Sequence, residues 1–162
     1  MKHLLLGTVH GSRLYGLSHA NSDYDYFAVH GWDKFKGHQR IAGIDDRLNT
    51  SYDRFMRYAD RGVPQYLEAM WSTLADVDEM PFNRFLYRPT VSLTRDTYMR
   101  TVKSFWMQGW EQDSFKKRRH ALRLMLNLRT MEECGRFNPT MTEQEVEWAN
   151  AHANDQELPE LT

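Results

Sequence analysis

The chain has 162 residues, a length that favours one domain, or a small core with a helical appendage, over several independent domains. Hydrophobic residues make up 41% and aromatic residues 13% of the sequence, which is enough for a core and argues against disorder. The formal net charge of −1 argues against a whole-protein grip on a polyanion, although a local basic patch remains compatible with phosphate binding.

The N-terminal residues and the cysteine content indicate the compartment. Three consecutive leucines precede Gly7, a run too short for a signal peptide or for the ~20 apolar residues of a membrane span. Cys134 is the single cysteine and cannot form an internal disulfide, which favours a reducing environment. We therefore expect a soluble, cytoplasmic protein without a membrane partner.

Strand signals are concentrated in the first fifty residues. Residues 3–9 form a short apolar segment, and Gly11, Ser12 and Gly16 follow it as turn and helix-start signals. Residues 24–29 are rich in aromatic and branched side chains and predict a second strand. Residues 41–50 predict a third strand, although two adjacent aspartates weaken that prediction on propensity alone.

Helical periodicity begins at Ser51, which is placed to cap a helix ended by Gly62. Pro64 suits the first turn of the next helix, and residues 97–109 and 114–134 predict two longer helices.

The last predicted helix starts at Thr142, where Glu145 completes the capping-box pattern. The order of elements predicts an α+β fold, a small mixed β-sheet core with an α-helical C-terminal part. We expect the core in residues 1–75, a helical region packed on it in residues 76–153, and a flexible tail in residues 154–162.

The residues that carry chemistry lie between the first two strands. Gly11 lets the backbone approach a bulky ligand, and Ser12 offers a hydroxyl at a predicted helix start, where free N–H groups favour phosphate. Asp23 and Asp25 are two apart, so on a strand both side chains point to one face. Two neighbouring carboxylates repel one another unless a cation lies between them.

Hard oxygen ligands of this kind suit Mg²⁺ or Mn²⁺, which also bind substrate phosphates. A phosphate-binding turn followed by a carboxylate pair is the arrangement expected for phosphoryl or nucleotidyl transfer. The metals would stabilise the attacking and leaving oxygens of an in-line displacement.

Gly-Ser, a spacer and Asp-x-Asp together resemble the signature of the polymerase-β-like nucleotidyltransferase superfamily. Residues 11–18, Gly-Ser-Arg-Leu-Tyr-Gly-Leu-Ser, and residues 22–26, Ser-Asp-Tyr-Asp-Tyr, are similar to a group of predicted nucleotidyltransferases of bacteria and phages. Residues 52–68 and 120–135 resemble the later helices of that group. The first motif is specific, and the later ones are weak alone but occur in the right order.

The resemblance implies a nucleotidyltransferase core in residues 1–75, made of a short mixed sheet flanked by helices. It implies that Gly11 and Ser12 contact a triphosphate, and that Asp23 and Asp25 bind two divalent metal ions. It also implies a third carboxylate on the next strand. Asp46 has the expected spacing, but Asp45 is its neighbour, and only one of the two can face the metals; we favour Asp46.

The remaining nucleotide-binding residues are expected from a basic run and from the motif itself. The run at residues 116–123 is either a solvated helix face or a source of cations for a triphosphate or an RNA backbone. The predicted nucleotide-binding set is completed by Arg13, Lys117, His120 and Arg123. Glu68 follows an apolar stripe, and we interpret it as the structural partner of a buried Arg or His.

The leading hypothesis is an enzyme that transfers a nucleoside monophosphate from an NTP such as ATP to a hydroxyl acceptor and releases pyrophosphate. RNA or tRNA, a small molecule and a protein are all compatible acceptors, and the Met- and Trp-rich helices are compatible with a homodimer. One alternative is a catalytically weak nucleotide-binding module, or a partner of toxin–antitoxin type. A third hypothesis, an RNA-binding accessory protein that uses the basic helix, fits the near-neutral net charge less well.

Overall fold

The computed structural model describes residues 3–31, 37–41 and 43–160. Residue 42, inside the predicted third strand, lies outside these ranges, as do the first two residues and the last two of the predicted tail. The described residues contain five strands, which form one sheet: β1 (Leu4–His10), β2 (Asp25–His30), β3 (Gly37–Ile41), β4 (Ile44–Ser51) and β5 (Ala75–Asp78).

The sheet is mixed, with the strand order β3-β4-β2-β1-β5. β2 runs parallel to β4, whereas the other neighbouring pairs are antiparallel. The predicted third strand at residues 41–50 overlaps both β3 and β4. The sequence did not predict β5, which is four residues long, lies at an edge of the sheet and alternates half-buried with exposed positions.

Helices make up the rest of the described chain, together with a 3-10 helix at Arg84–Leu86. They are α1 (Ser12–Tyr15), α2 (Tyr52–Asp60), α3 (Pro64–Met70), α4 (Val91–Glu111), α5 (Phe115–Cys134) and α6 (Glu143–His152). The architecture confirms the predicted α+β class, with a small mixed sheet and helices in the C-terminal part.

The helix ends follow from local sequence signals. The Ser51 hydroxyl accepts a hydrogen bond from the Arg54 N–H and caps α2, and the Ser114 hydroxyl caps α5 in the same way. Gly135 ends α5 with a left-handed backbone conformation. The predicted capping box at Thr142 is confirmed. By contrast, α4 begins six residues before its predicted start at residue 97, since it spans Val91–Glu111.

The C-terminal part closes back onto the sheet region through specific contacts. The Thr140 hydroxyl donates to the Leu14 carbonyl oxygen at 2.7 Å. Trp71, at the end of α3, packs edge-on against Phe137, with 4.9 Å between the ring centroids. These contacts join the helical region to the segment that follows β1, so the two parts share one hydrophobic core.

The proposed division at residues 75 and 153 stays a prediction. The sheet's last strand, β5, falls at the first of these boundaries. Near the second boundary, the buried Arg118 donates to the Ala153 carbonyl oxygen at 2.6 Å and to the Asn154 side-chain oxygen at 3.1 Å. Leu158, within the predicted tail, packs against the core.

Candidate active site

A cavity of about 660 Å³ lies between α1, the loop that precedes β2, and the first turns of α5. Six of the residues predicted from the sequence line it: Gly11, Ser12, Asp23, Asp25, Lys117 and His120. Four of them come from the chain between β1 and β2, and two come from α5. The tertiary structure therefore brings the Gly-Ser and Asp-x-Asp motifs and the basic run to one cavity.

Gly11 is required by the close approach of Asp25. Its φ of 67° and ψ of −152° belong to a backbone region that is essentially restricted to glycine. A Cβ atom at this position would lie 2.6 Å from Asp25 Oδ2, well inside van der Waals contact. The glycine therefore lets the turn before α1 pass directly beside the carboxylate.

The sheet pairs Asp25 with Asp46. β2 and β4 are parallel neighbours, and these two residues are partners in their register. Because partners in register share a face of the sheet, Asp46 lies on the face of Asp25 and Asp45 on the other. The Asp45 carboxylate instead accepts a hydrogen bond from the Tyr24 N–H at 2.6 Å and so holds the start of β2.

Negative charge accumulates around Asp25. Burial raises the pKa of the Asp25 carboxyl, and the charges of Asp46, Asp23 and Asp45 raise it further. The Lys116 ammonium group acts in the opposite direction. A carboxylate in such surroundings is costly to ionise, and a bound cation would relieve that cost.

Asp23 and Asp46 are placed less tightly than Asp25. β2 begins at Asp25, so Asp23 is in the preceding loop, although it lines the same cavity. Asp46 does not line the cavity; its side chain is 45% exposed and pairs with His38 Nδ1 at 2.9 Å. Across residues 3–31, 37–41 and 43–160, no three His, Cys, Asp or Glu side chains form a ready metal-binding group.

Arg13 supports the loop instead of lining the cavity. Its guanidinium group donates to the carbonyl oxygens of Ser22 at 2.7 Å and Asp23 at 3.2 Å. It also lies 5.8 Å from the centre of the Tyr24 ring. The structure thus places Arg13 where it fixes the backbone that carries Asp23.

The basic run on α5 divides between the cavity and the core. Lys116, Lys117 and Arg119 line the cavity, and none of the ion pairs between described residues involves them. Lys117 Nζ is held by two neutral oxygens, those of Gln108 at 3.1 Å and Gln112 at 2.8 Å, so its charge stays uncompensated. This wall of cations faces the carboxylates across the cavity.

Arg123, predicted to bind nucleotide, is fully buried beneath the cavity. Its guanidinium group lies 3.3 Å from Glu68 Oε1 and 3.5 Å from the centre of the Tyr15 ring. The other Glu68 oxygen is 3.9 Å from His10 Nε2, a longer contact within the same buried cluster. The expected structural partner of Glu68 is therefore Arg123.

His120 joins this buried pair to the cavity. Arg123 Nη2 lies 2.9 Å from His120 Nδ1, and the Phe105 ring centroid lies 4.5 Å from that of the imidazole. Burial, followed by the positive charges of Arg123 and Lys116, lowers the pKa of His120 to about 2. The histidine therefore adds no positive charge to the wall at neutral pH.

Two aromatic lining residues were not predicted as part of the site. Phe105 comes from the middle of α4, where no local motif distinguishes it from core aromatics. Tyr15 lies inside the Gly-Ser motif, and its ring could have been expected near the site from that position alone. Lys116 and Arg119 belonged to the basic run, but only the packing of α5 shows which of its members face the cavity.

Comparison with known proteins gave no match: no protein-family model matches the chain, and no curated protein matches it. The basis for a function is therefore the cavity and the sheet edge beside it. Among the helices of the described chain, none combines the length and the apolar character needed to cross a bilayer.

Proposed function

We propose that this chain is a metal-dependent nucleotidyltransferase, which transfers a nucleoside monophosphate from an NTP to a hydroxyl acceptor. The observation that carries the proposal is the contact zone of Gly11 and Asp25, with Asp46 opposite Asp25 on the next strand. A glycine turn of this kind lets a polyphosphate approach the carboxylates without a side chain in between. Lys116, Lys117 and Arg119 supply positive charge on the other side of the same cavity.

In the proposed reaction, the acceptor hydroxyl oxygen forms a bond to the α-phosphorus of the NTP. The bond from that phosphorus to its bridging oxygen breaks, and pyrophosphate leaves with the electron pair. Asp46 accepts the proton of the acceptor hydroxyl, and the cationic residues of α5 bind the phosphates. Gly11 and Ser12 hold the β- and γ-phosphates beside Asp25.

The donor set fits a hard divalent cation such as Mg²⁺ or Mn²⁺, because carboxylate oxygens crowd around Asp25 without an equal number of nearby positive charges. Asp25 and Asp46 would hold such an ion, and Asp23 would contribute from the loop. When bound, the ion would neutralise the carboxylates and the phosphate oxygens. Asp46 would have to exchange its contact with His38 for this role.

The test is incubation of the protein with each labelled NTP, Mg²⁺ or Mn²⁺, and RNA, small-molecule or protein acceptors. We expect pyrophosphate release and transfer of label to one acceptor class, and loss of both in Asp25→Asn. The absence of pyrophosphate, label transfer and nucleotide binding with every NTP would refute the proposal.

A second candidate is a nucleotide-binding module with little or no transfer activity. The observation that favours it is the Asp46–His38 pair, which occupies the third carboxylate. This module would bind NTP with a divalent metal, release no pyrophosphate, and bind NTP equally well after Asp46→Ala. An enzyme would lose turnover in the same variant.

A further inference from the structure

The cavity has two chemically different ends. Lys116, Lys117 and Arg119 give one part of its wall a positive charge, whereas Phe105 and His120 form an aromatic part. The Phe105 and His120 rings meet nearly edge-on, with an interplanar angle of 80°. Such a cavity suits a ligand that combines phosphate groups with an uncharged ring system.

The direction of the hydrogen bond between Arg123 and His120 follows from the chemistry of the guanidinium group. This group can only donate, so the imidazole nitrogen that faces it must accept. Arg123 Nη2 lies 2.9 Å from Nδ1 and 3.5 Å from Nε2, so Nδ1 is the acceptor. The single proton of the neutral ring then belongs to Nε2.

The position of Arg123 is fixed on every side. Its side chain has no exposed surface, Glu68 compensates its charge at 3.3 Å, and the Tyr15 ring covers it at 3.5 Å. An arginine held in this way has no freedom to leave His120 and bind a ligand phosphate. The buried pair therefore acts on the cavity only through the imidazole.

We infer that His120 is a neutral Nε2–H donor that contacts the uncharged nucleoside part of the substrate, and that Arg123 is the positioning residue that fixes its tautomer. This inference rests on the proposed function, because it names the part of the nucleotide that His120 recognises. A base carbonyl, a ring nitrogen or a ribose hydroxyl is a suitable acceptor. The phosphates are left to the lysines and Arg119.

The surroundings of the imidazole support the neutral state from every element packed against it. Arg123 and Lys116 on α5 are positively charged, and both lower the pKa of His120. His10 on β1 acts in the same direction, and Tyr15 on α1 and Phe105 on α4 contribute aromatic rings. Among these groups no carboxylate stabilises a protonated His120.

The experiment is NMR of the protein with ¹⁵N-labelled histidine, with the His120 signals assigned by the variant His120→Asn. We expect one neutral Nε2–H tautomer that persists down to about pH 5. ATP with Mg²⁺ should shift the Nε2–H resonance, whereas inorganic tripolyphosphate with Mg²⁺ should leave it unchanged. An Nδ1–H tautomer, protonation above pH 5, or an equal shift with tripolyphosphate would overturn the inference.

Two variants test the role of Arg123. Arg123→Lys keeps a donor for Nδ1 and should retain the Nε2–H tautomer, whereas Arg123→Met should give a mixture of tautomers. If Arg123→Met does not fold, the Arg123→Lys spectrum and the wild-type titrations decide. Retention of a pure Nε2–H tautomer in a folded Arg123→Met variant would remove Arg123 from its positioning role.

The failure of the inference and the failure of the proposed function give different results. If no NTP binds at any metal concentration, the proposed function fails, and the nucleoside contact fails with it. If ATP binds and His120 responds to ATP and tripolyphosphate alike, the proposed function stands and only the assignment of His120 is wrong.

Discussion

Asp46 lies opposite Asp25 in the parallel register of β4 and β2, while Asp45 is bound to the backbone of Tyr24. The two adjacent aspartates therefore have separate tasks. One shares the face of the candidate metal ligand Asp25, and the other holds the segment that leads into β2. Substitution of the two aspartates should therefore have different consequences for activity.

Asp46→Asn should reduce nucleotidyl transfer by at least about 100-fold, because even outer-shell partners of metal ligands cost about 10–100-fold when they are removed. Asp45→Asn is the matched control, with the same chemical change one residue away. It should keep transfer within a few-fold of the wild type. Steady-state pyrophosphate release at saturating Mn²⁺ measures both, and equal losses in the two variants would contradict the assignment.

Asp25→Asn should abolish transfer but raise the free energy of unfolding of the metal-free protein at neutral pH. The pKa of Asp25 is higher in the folded chain than its ordinary value of 3.8, so its ionised form is disfavoured by folding. The folded state binds more protons between the two values, and stability falls as the pH rises through them. The advantage of the variant should therefore be present at pH 7 and absent near pH 3.

Urea unfolding of the wild type and of Asp25→Asn at both pH values checks this prediction. It should be done in the presence of a chelator, so that no divalent cation offsets the repulsion. A wild type that is more stable than the variant at pH 7 under these conditions would contradict the electrostatic account.

Gly11→Ala should abolish nucleotide transfer, since a methyl group there would lie 2.6 Å from Asp25 Oδ2 in a backbone region disfavoured for alanine. We expect it to cost on the order of 1–3 kcal/mol of stability as well. Gly43→Ala is the matched control: Gly43 also has a positive φ, of 79°, but a methyl group there would meet no heavy atom of the described residues within 4 Å. Activity assays should show near-wild-type transfer for the control.

Glu68→Gln should destabilise the protein by about 3–5 kcal/mol, because it leaves the buried Arg123 guanidinium without a compensating charge. Glu132→Gln removes a carboxylate from an exposed pair with Arg95 at 2.9 Å. That variant should change stability by no more than about 1 kcal/mol. Chemical denaturation at pH 7 compares them, and similar small effects would show that the buried charge is compensated in another way.

Lys116→Gln should raise the KM for NTP by about tenfold, which corresponds to about 1.4 kcal/mol, with little change in kcat. Lys116 lines the cavity and acts electrostatically on Asp25. Lys103→Gln, at an exposed position of α4 outside the cavity lining, is the control and should leave KM unchanged. The difference should shrink as ionic strength increases, because salt screens the interaction.

The sequence by itself determined the local structure. Ser51, Ser114 and Thr142 cap their helices, and Gly135 ends α5, because each of these signals acts within one or two turns of the chain. The α+β class followed from the order of strand and helix signals. Gly11 and Asp25 were identified because their chemistry is encoded within fifteen residues of sequence.

The tertiary structure alone decided which residues share the site. The register of β2 and β4 places Asp46, not Asp45, on the face of Asp25, and pairing between strands is not written in either strand alone. The basic run on α5 separates into cavity residues and the buried Arg118 and Arg123, because the helix packs on both sides. Glu68, distant in sequence, then fixes Arg123 and through it the proton on His120.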